Sequence, residues 1–221
     1  MVKAIVFDMD GVLFDTENLT AASWHRTVKK LGCTDVTPYI SEFLGLNAVY
    51  HKQAFLDKFG ADFPYDEFIK SSREYSVDFI VKHGVPLKPG VFELLDYLKQ
   101  KKFLIAVATS TRRETVLQHF KNAGITDYFD QIICGDMVEK SKPNPEIYLK
   151  AAAALGIAPQ DCIALEDSPN GLTAAYRAGI KTVMVPDLIA PTAELRKMLF
   201  ACVPSLNDVI PLLKQLERQE A

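Results

Sequence analysis

The feature that most restricts how this chain can fold is an alternation. Five short apolar runs, "AIVFDMD", "LIAVATS", "QIICGD", "CIALEDS" and "TVMVP", are separated by stretches with apolar residues at helical spacing. The runs are short and rich in β-branched residues, as buried strands are. The intervening "GVFELLDYLKQKK", "RETVLQHFKNAG", "NPEIYLKAAAALG" and "NGLTAAYRAG" end near Gly or Lys, as helices do. Continuous apolar strands joined by helices make a parallel sheet covered on both faces. The expected fold class is therefore α/β, a doubly wound parallel sheet.

The rhythm breaks once. From about Asp15 to Lys88 there is no strand candidate, only three amphipathic stretches, "NLTAASWHRTVKKLG", "AVYHKQAFLDKFG" and "DEFIKSSREYSVDFIVKHG". "VPLKPGV" then returns the chain to the alternating pattern. This predicts an all-helical insertion over residues 15–87, set into a core built from 1–14 and 88–221. "SLNDVIPLLKQLERQEA" reads as a closing helix whose start is delayed by Pro211.

Composition narrows the function classes. A formal net charge of -3 over 221 residues gives no polyanion-binding signature, so nucleic acid is not an expected partner. Cys33, Cys134, Cys162 and Cys202 are far apart and form neither a zinc-binding pattern nor a disulfide framework. No apolar run approaches about 18 residues, and the N-terminus has no basic-then-apolar leader pattern. The expectation is a cytoplasmic protein, monomeric, with no membrane partner.

Ligands of a doubly wound sheet sit beyond the carboxyl ends of its strands. The first run ends in Asp8-Met9-Asp10-Gly11, and side chains two apart on a strand share a face. The second ends in Thr109-Ser110-Thr111. Lys142 follows the third, just before a proline-punctuated helix start, and Glu166-Asp167-Ser168 ends the fourth. Taken singly, Thr109 reads as a helix cap, Lys142 as a solvated lysine and Glu166-Asp167 as a capping pair. Together they place acids, hydroxyls and a lysine on one edge. Several carboxylates in one crevice require a cation, and oxygen-only ligands favour Mg²⁺ over zinc. With a lysine and hydroxyl or backbone donors, that makes a cradle for a phosphoryl group. One Asp is then a nucleophile and the other a proton shuttle.

The ordered set "FDMDG", "ATST", "SKPNPEIY" and "LEDSPNG" resembles the haloacid dehalogenase (HAD) superfamily of phosphohydrolases. The helical insertion after the first motif is similar to the type 1 cap of its β-phosphoglucomutase-like branch. The resemblance covers essentially the whole chain. It implies that Asp8 is the nucleophile and Asp10 the general acid/base, with its backbone carbonyl also a metal ligand. It implies that Thr109 and Ser110 bind the transferred phosphoryl group and that Lys142 neutralises the phosphoaspartate. Asp167 would bind Mg²⁺ with Asp8, Glu166 being a ligand or standing just behind one. The second Asp of the motif argues against dehalogenation, whose enzymes lack this acid/base.

The resemblance implies a small phosphorylated metabolite, foremost a sugar phosphate, as substrate. A phosphosugar mutase is the alternative. Mutases of the branch carry a histidine in the first cap helix and an arginine in the following cap loop, where this chain has Thr20 and Ala48. Both departures favour plain hydrolysis, while Asp15 and Thr16 keep the hinge pattern. The loop of residues 45–52 and Arg73 are candidates to face the leaving group, although a solvated surface accounts equally for His51 and Arg73. Trp24 reads as cap core beside His25. A phosphoacceptor receiver domain shares the acids, hydroxyl and lysine, but its phosphorylated Asp lies on an interior strand and no helical insertion follows the first. A phosphonatase would need a Schiff-base lysine in the cap, for which Lys29, Lys30 and Lys52 qualify by residue type alone.

Overall fold

The computed structural model describes residues 2–43 and 48–220, the side chains of residues 48–50 and 220 excepted. The chain forms two compact units, one from the segment ending at Phe14 together with that starting at Leu87, the other from Asp15–Pro86. In chain order the elements are β1 Ala4–Phe7, α1 Thr16–Leu31, α2 Ile40–Phe43, α3 Ala48–Phe59, α4 Tyr65–His83, α5 Val91–Gln100 and β2 Leu104–Ala108. They continue as α6 Arg113–Ala123, β3 Gln131–Ile133, α7 Glu146–Leu155, β4 Cys162–Glu166, α8 Pro169–Arg177, β5 Lys181–Met184, α9 Ala193–Arg196, β6 Ala201–Cys202 and α10 Val209–Glu220.

All strands of the first unit pair in parallel, in the order β3-β2-β1-β4-β5-β6. This is the doubly wound α/β sheet expected of the alternation. β1 lies between β2 and β4, so both its edges are paired, and Ala4, Ile5, Val6 and Phe7 are fully buried. Beneath one face Val6, Ala106 and Ala164 meet alanines 151, 152, 174 and 175 of α7 and α8. Small residues on both sides let the helices lie close to the strands. That close approach carries Tyr148 of α7 under the strand ends.

Two local expectations need correction. The sheet has a sixth strand, β6, whose two residues are too short to carry a period-2 signal. The last helix does not wait for Pro211, because α10 already begins at Val209. Pro211 falls in the first turn, where a helix has no intrahelical use for the missing N–H.

The second unit has a different interior. Trp24, Phe43, Phe55, Phe63 and Phe68 form its core, with Trp24 edge-on to Phe55 and Phe68 at centroid distances of 5.3 and 5.5 Å. Such pairs add about 0.5–1.5 kcal/mol each beyond burial. Trp24 is thus core, as its pattern suggested. His51 is not a solvated residue. It is half-buried, stacks on Phe55 at 5.2 Å, and its Nδ1 lies 2.8 Å from the Tyr65 hydroxyl. His25 and Arg73 are exposed.

Burial pushes the His51 imidazole below its ordinary value. Unfolded, the ring takes its proton near pH 6.5, so at lower pH the unfolded chain binds more protons and the unit loses stability. Urea unfolding followed by Trp24, the only tryptophan, is therefore expected to show falling stability from pH 7 to pH 5. His51→Phe, which keeps the stacked ring and drops the titrating group, flattens that slope. An unchanged slope in the variant would assign the acid sensitivity elsewhere.

Candidate active site

The strand order reverses at β1. The chain runs outward through β2 and β3, then returns to lay β4 on the other side of β1. A crevice opens beyond the carboxyl ends of strands at such a switch. The residues that follow β1 there are Asp8 and Asp10, and those that end β4 are Glu166 and Asp167. Asp8 stays in register beyond its strand, its N–H donating to the Leu165 carbonyl at 2.9 Å.

Lys142 reaches into this crevice from the segment before α7. Its Nζ donates to Asp8 Oδ1 and to Glu166 Oε1, both at 2.6 Å, and its side chain is 7% exposed. Burial works against its charge, but the two carboxylates outweigh burial and hold the ammonium above its ordinary value. Glu166 is fully buried and saturated with donors. Oε1 also accepts from the Tyr148 hydroxyl at 2.7 Å, and Oε2 accepts from the Asp167 N–H, the Ser168 N–H and the Ser168 hydroxyl. The start of α8 is folded against that carboxylate. Ser168 caps the helix through the Gly171 N–H, and a Cβ at Gly171 would collide with Glu166. Burial pushes the Asp8 carboxyl up, to about 8, against the pull of Lys142 and with the push of Glu166 and Asp10.

Asp10 sits on a tight turn closed by the Gly11 N–H donating to the Phe14 carbonyl at 2.9 Å. Gly11 has φ +80°, and a Cβ there would collide with the Asp167 carboxylate. The glycine of "DMDG" is thus required twice, for its backbone angle and for the acid across from it. Thr109 is buried at the end of β2, where its hydroxyl accepts from the Thr111 N–H at 3.0 Å. It caps no helix, since α6 starts after Arg112. Ser110, next along the loop, is exposed.

Asp8, Lys142, Glu166 and Asp167 therefore share one buried cluster, beside which Asp10 is half-buried. Sequence reasoning passed over several neighbours. Thr111 donates its hydroxyl to Asp10 Oδ2 at 2.7 Å. Tyr148 holds Glu166 from below. Asp187, just past β5, pairs with Lys88 at 2.8 Å and brings an oxygen within 4.8 Å of one on Asp167. His119 of α6 packs edge-on to Phe14 and has a buried Nδ1 with no hydrogen-bond partner among the described residues. Only Asp187 carried a usable signal, as one more polar residue after an apolar run. In the helical unit Lys52 is paired with Asp66, Lys30 donates to Ser71 and Lys29 is exposed. The Ala48 side chain and residues 45–47 of the candidate loop lie outside the described residues.

Asp8, Glu166 and Asp167, all buried, each offer an oxygen within 4.8 Å of the others. With Asp10 beside them, the crevice holds four carboxylates, of which the Lys142 ammonium pairs with Asp8 and Glu166. Excess negative charge in a desolvated crevice fits a hard, oxygen-liganded divalent cation. Removing Lys142 would leave Asp8 and Glu166 buried and uncompensated. Lys142→Met is expected to cost about 3 kcal/mol at pH 8, the scale for breaking a buried pair. The loss should shrink at pH 5, where Asp8, pushed up to about 8, carries a proton. Equilibrium urea unfolding at both values measures it, and wild-type stability at pH 8 would refute the pairing as a structural support.

Comparison with known proteins agrees with this geometry. Residues 5–185 match the model of the haloacid dehalogenase-like hydrolase family. A phosphatase of phosphorylated carbohydrates from Thermotoga maritima is 30% identical over 96% of this chain and 91% of its own. The crystal structure of CbbY from Rhodobacter sphaeroides in complex with phosphate is 30% identical, covers 95% of this chain and 96% of its own, and superposes with a TM-score of 0.74. That of β-phosphoglucomutase from Clostridium difficile is 25% identical, covers 100% of this chain and 98% of its own, and gives 0.75. With an ordered set of four strand-end motifs converging on one crevice, this chain belongs to the haloacid dehalogenase-like hydrolases, as an enzyme of their β-phosphoglucomutase-like branch.

Proposed function

We propose that this enzyme is a Mg²⁺-dependent phosphatase of small phosphate monoesters, sugar phosphates foremost, working through an aspartyl-phosphate on Asp8. The observation that carries the reading is the buried Asp8–Lys142–Glu166 bridge, with 2.6 Å on each side. It keeps one oxygen of a desolvated carboxylate in a fixed place beside a fixed positive charge. Asp8 attacks phosphorus, the phosphorus–oxygen bond to the leaving group breaks, and Asp10 gives that oxygen its proton. Water then attacks the aspartyl-phosphate, Asp10 takes a proton from it, and inorganic phosphate leaves with Asp8 restored. Thr109 and Ser110 hold the phosphoryl oxygens, and Lys142 offsets their charge.

Asp8, the Asp10 main-chain carbonyl and Asp167 are the residues that would hold Mg²⁺. Bound there, the ion supplies the positive charge that lets an anionic ester approach an anionic nucleophile. Glu166, whose oxygens already accept five donors, serves Lys142 and stands behind that set. Residues 15–87 act as a cap that excludes water and selects the leaving group, over a core of 1–14 and 88–221. Hydrolysis is favoured over phosphosugar transfer by Thr20, whose hydroxyl is engaged in its own helix by the Thr16 carbonyl at 2.9 Å. The sugar-phosphate preference draws on the carbohydrate phosphatase among the relatives. We place the enzyme in the cytoplasm as a monomer acting on a small phosphorylated metabolite, with neither membrane nor nucleic acid as partner. Among the described residues no helix is long and apolar enough to cross a membrane.

Two measurements test this. Phosphate release is assayed on hexose, pentose, deoxysugar, polyol and nucleotide phosphates, with and without Mg²⁺. Metal-dependent release by the wild type, abolished in a folded Asp8→Asn, is expected, and undiminished turnover by that variant would sink the reading. In thermal unfolding, Mg²⁺ at 100 times its Kd should add about 2.7 kcal/mol to the wild type. Asp167→Asn should lose most of that gain, and an equal gain in the variant would remove Asp167 from the metal site.

A further inference from the structure

Thr111 closes the "ATST" motif, and the reaction as written gives it no role. We infer that Thr111 is the positioning residue of Asp10, the post against which the proton donor is aimed at the leaving oxygen. The inference rests on the reading of Asp10 as the general acid/base.

The hydroxyl of Thr111 donates to Asp10 Oδ2 at 2.7 Å. Asp10 itself is half-buried on a short turn, and a carboxylate on two rotatable bonds has to be held to deliver a proton along one line. Thr111 is well anchored for that task. Its N–H donates to the Thr109 hydroxyl, its carbonyl accepts from the Gly135 N–H, and the Thr109 N–H donates to the Ile133 carbonyl, each at 3.0 Å. The loop after β2 is thereby fastened to the end of β3, and α6 begins with the Arg113 N–H donating to Asp136 at 3.1 Å. The same loop presents Thr109 and Ser110, so the phosphoryl cradle and the proton donor are set by one backbone segment.

A positioning role for the general acid predicts a dependence on the leaving group. An alkyl alcohol needs a proton to depart, whereas p-nitrophenolate does not. The full chain, in excess over substrate and with saturating Mg²⁺, is followed through a single turnover, reading release of the alcohol from a polyol or sugar phosphate and of p-nitrophenolate from p-nitrophenyl phosphate, the step in which Asp10 acts only as an acid. Thr111→Val should slow release of the alcohol about 10–100-fold, part of the 10²–10⁴ that general acid catalysis supplies. The enzyme concentration for half-maximal rate should stay within about 3-fold, and release of p-nitrophenolate should slow no more than about 3-fold, because protonation does not limit it. Thr111→Ser, which keeps the hydroxyl, should restore the alkyl ester rate. Thr111→Ala removes the hydroxyl without added bulk and repeats the test if the valine variant does not fold.

Equal loss on both esters would mean that Thr111 only supports the fold, and no loss on either would mean that Asp10 is positioned without it. Both overturn the inference. Asp10→Asn separates this from the underlying reading. If that variant shows the selective alkyl loss and Thr111→Val does not, the inference fails while Asp10 keeps its role. If Asp10→Asn hits both esters alike, or the wild type hydrolyses neither, the reading of the site itself fails.

Discussion

Lys142 lies 2.6 Å from carboxylates borne by two neighbouring strands, and it is almost wholly buried. The rest of the crevice is arranged around that ammonium. β1 delivers Asp8, β4 delivers Glu166, and the segment before α7 delivers the lysine, so three distant parts of the chain must arrive together. Burying three charges costs several kcal/mol per ion before they are paired. The arrangement is tolerable because both buried oxygens of Glu166 have found further donors, from Tyr148 below and from the start of α8 beside it. Stability is spent here on a fixed charge pattern, as is usual where a fold carries chemistry.

What could be read from the sequence depended on how local each signal was. The sheet was legible because a strand buried on both faces, such as Ala4–Phe7, must be apolar throughout. Asp8, Asp10, Thr109, Lys142, Glu166 and Asp167 stood out because each follows an apolar run, and the carboxyl ends of parallel strands meet. Tyr148 did not stand out, since an aromatic residue inside an alanine-rich helix looks like core. Its ring is core, yet its hydroxyl reaches Glu166 and its face lies 5.1 Å from the Lys142 Nζ. Thr111 was hidden by its neighbours in "ATST", where three hydroxyls in a row give no hint which one turns toward Asp10. Residue type left Glu166 undecided between ligand and support. Its five donors come from tertiary packing, and no spacing rule encodes them.

The two units are stabilised by different means. The α/β unit relies on small side chains: alanines let α7 and α8 lie against the sheet, and such a surface tolerates little added volume. The helical unit is filled with rings around Trp24 and Phe55, which pack at many angles and adjust to change. The unit that bears the reacting groups is thus the one that tolerates the least change in its packing. His51 and Tyr65 add a polar pair within those rings, so even the adaptable interior has one fixed point.

The two glycines that face Asp167 and Glu166 give this crevice a hidden fragility. At Gly11 and Gly171 the space a side chain would fill is already taken by a carboxylate. A single methyl group there would displace an acid without altering any residue that performs chemistry. Inherited or engineered variants at these two positions would therefore mimic the loss of Asp167 or Glu166. A survey that scores positions by polarity or charge would miss them. The boundary of the reactive centre is drawn as much by absent atoms as by the groups that act.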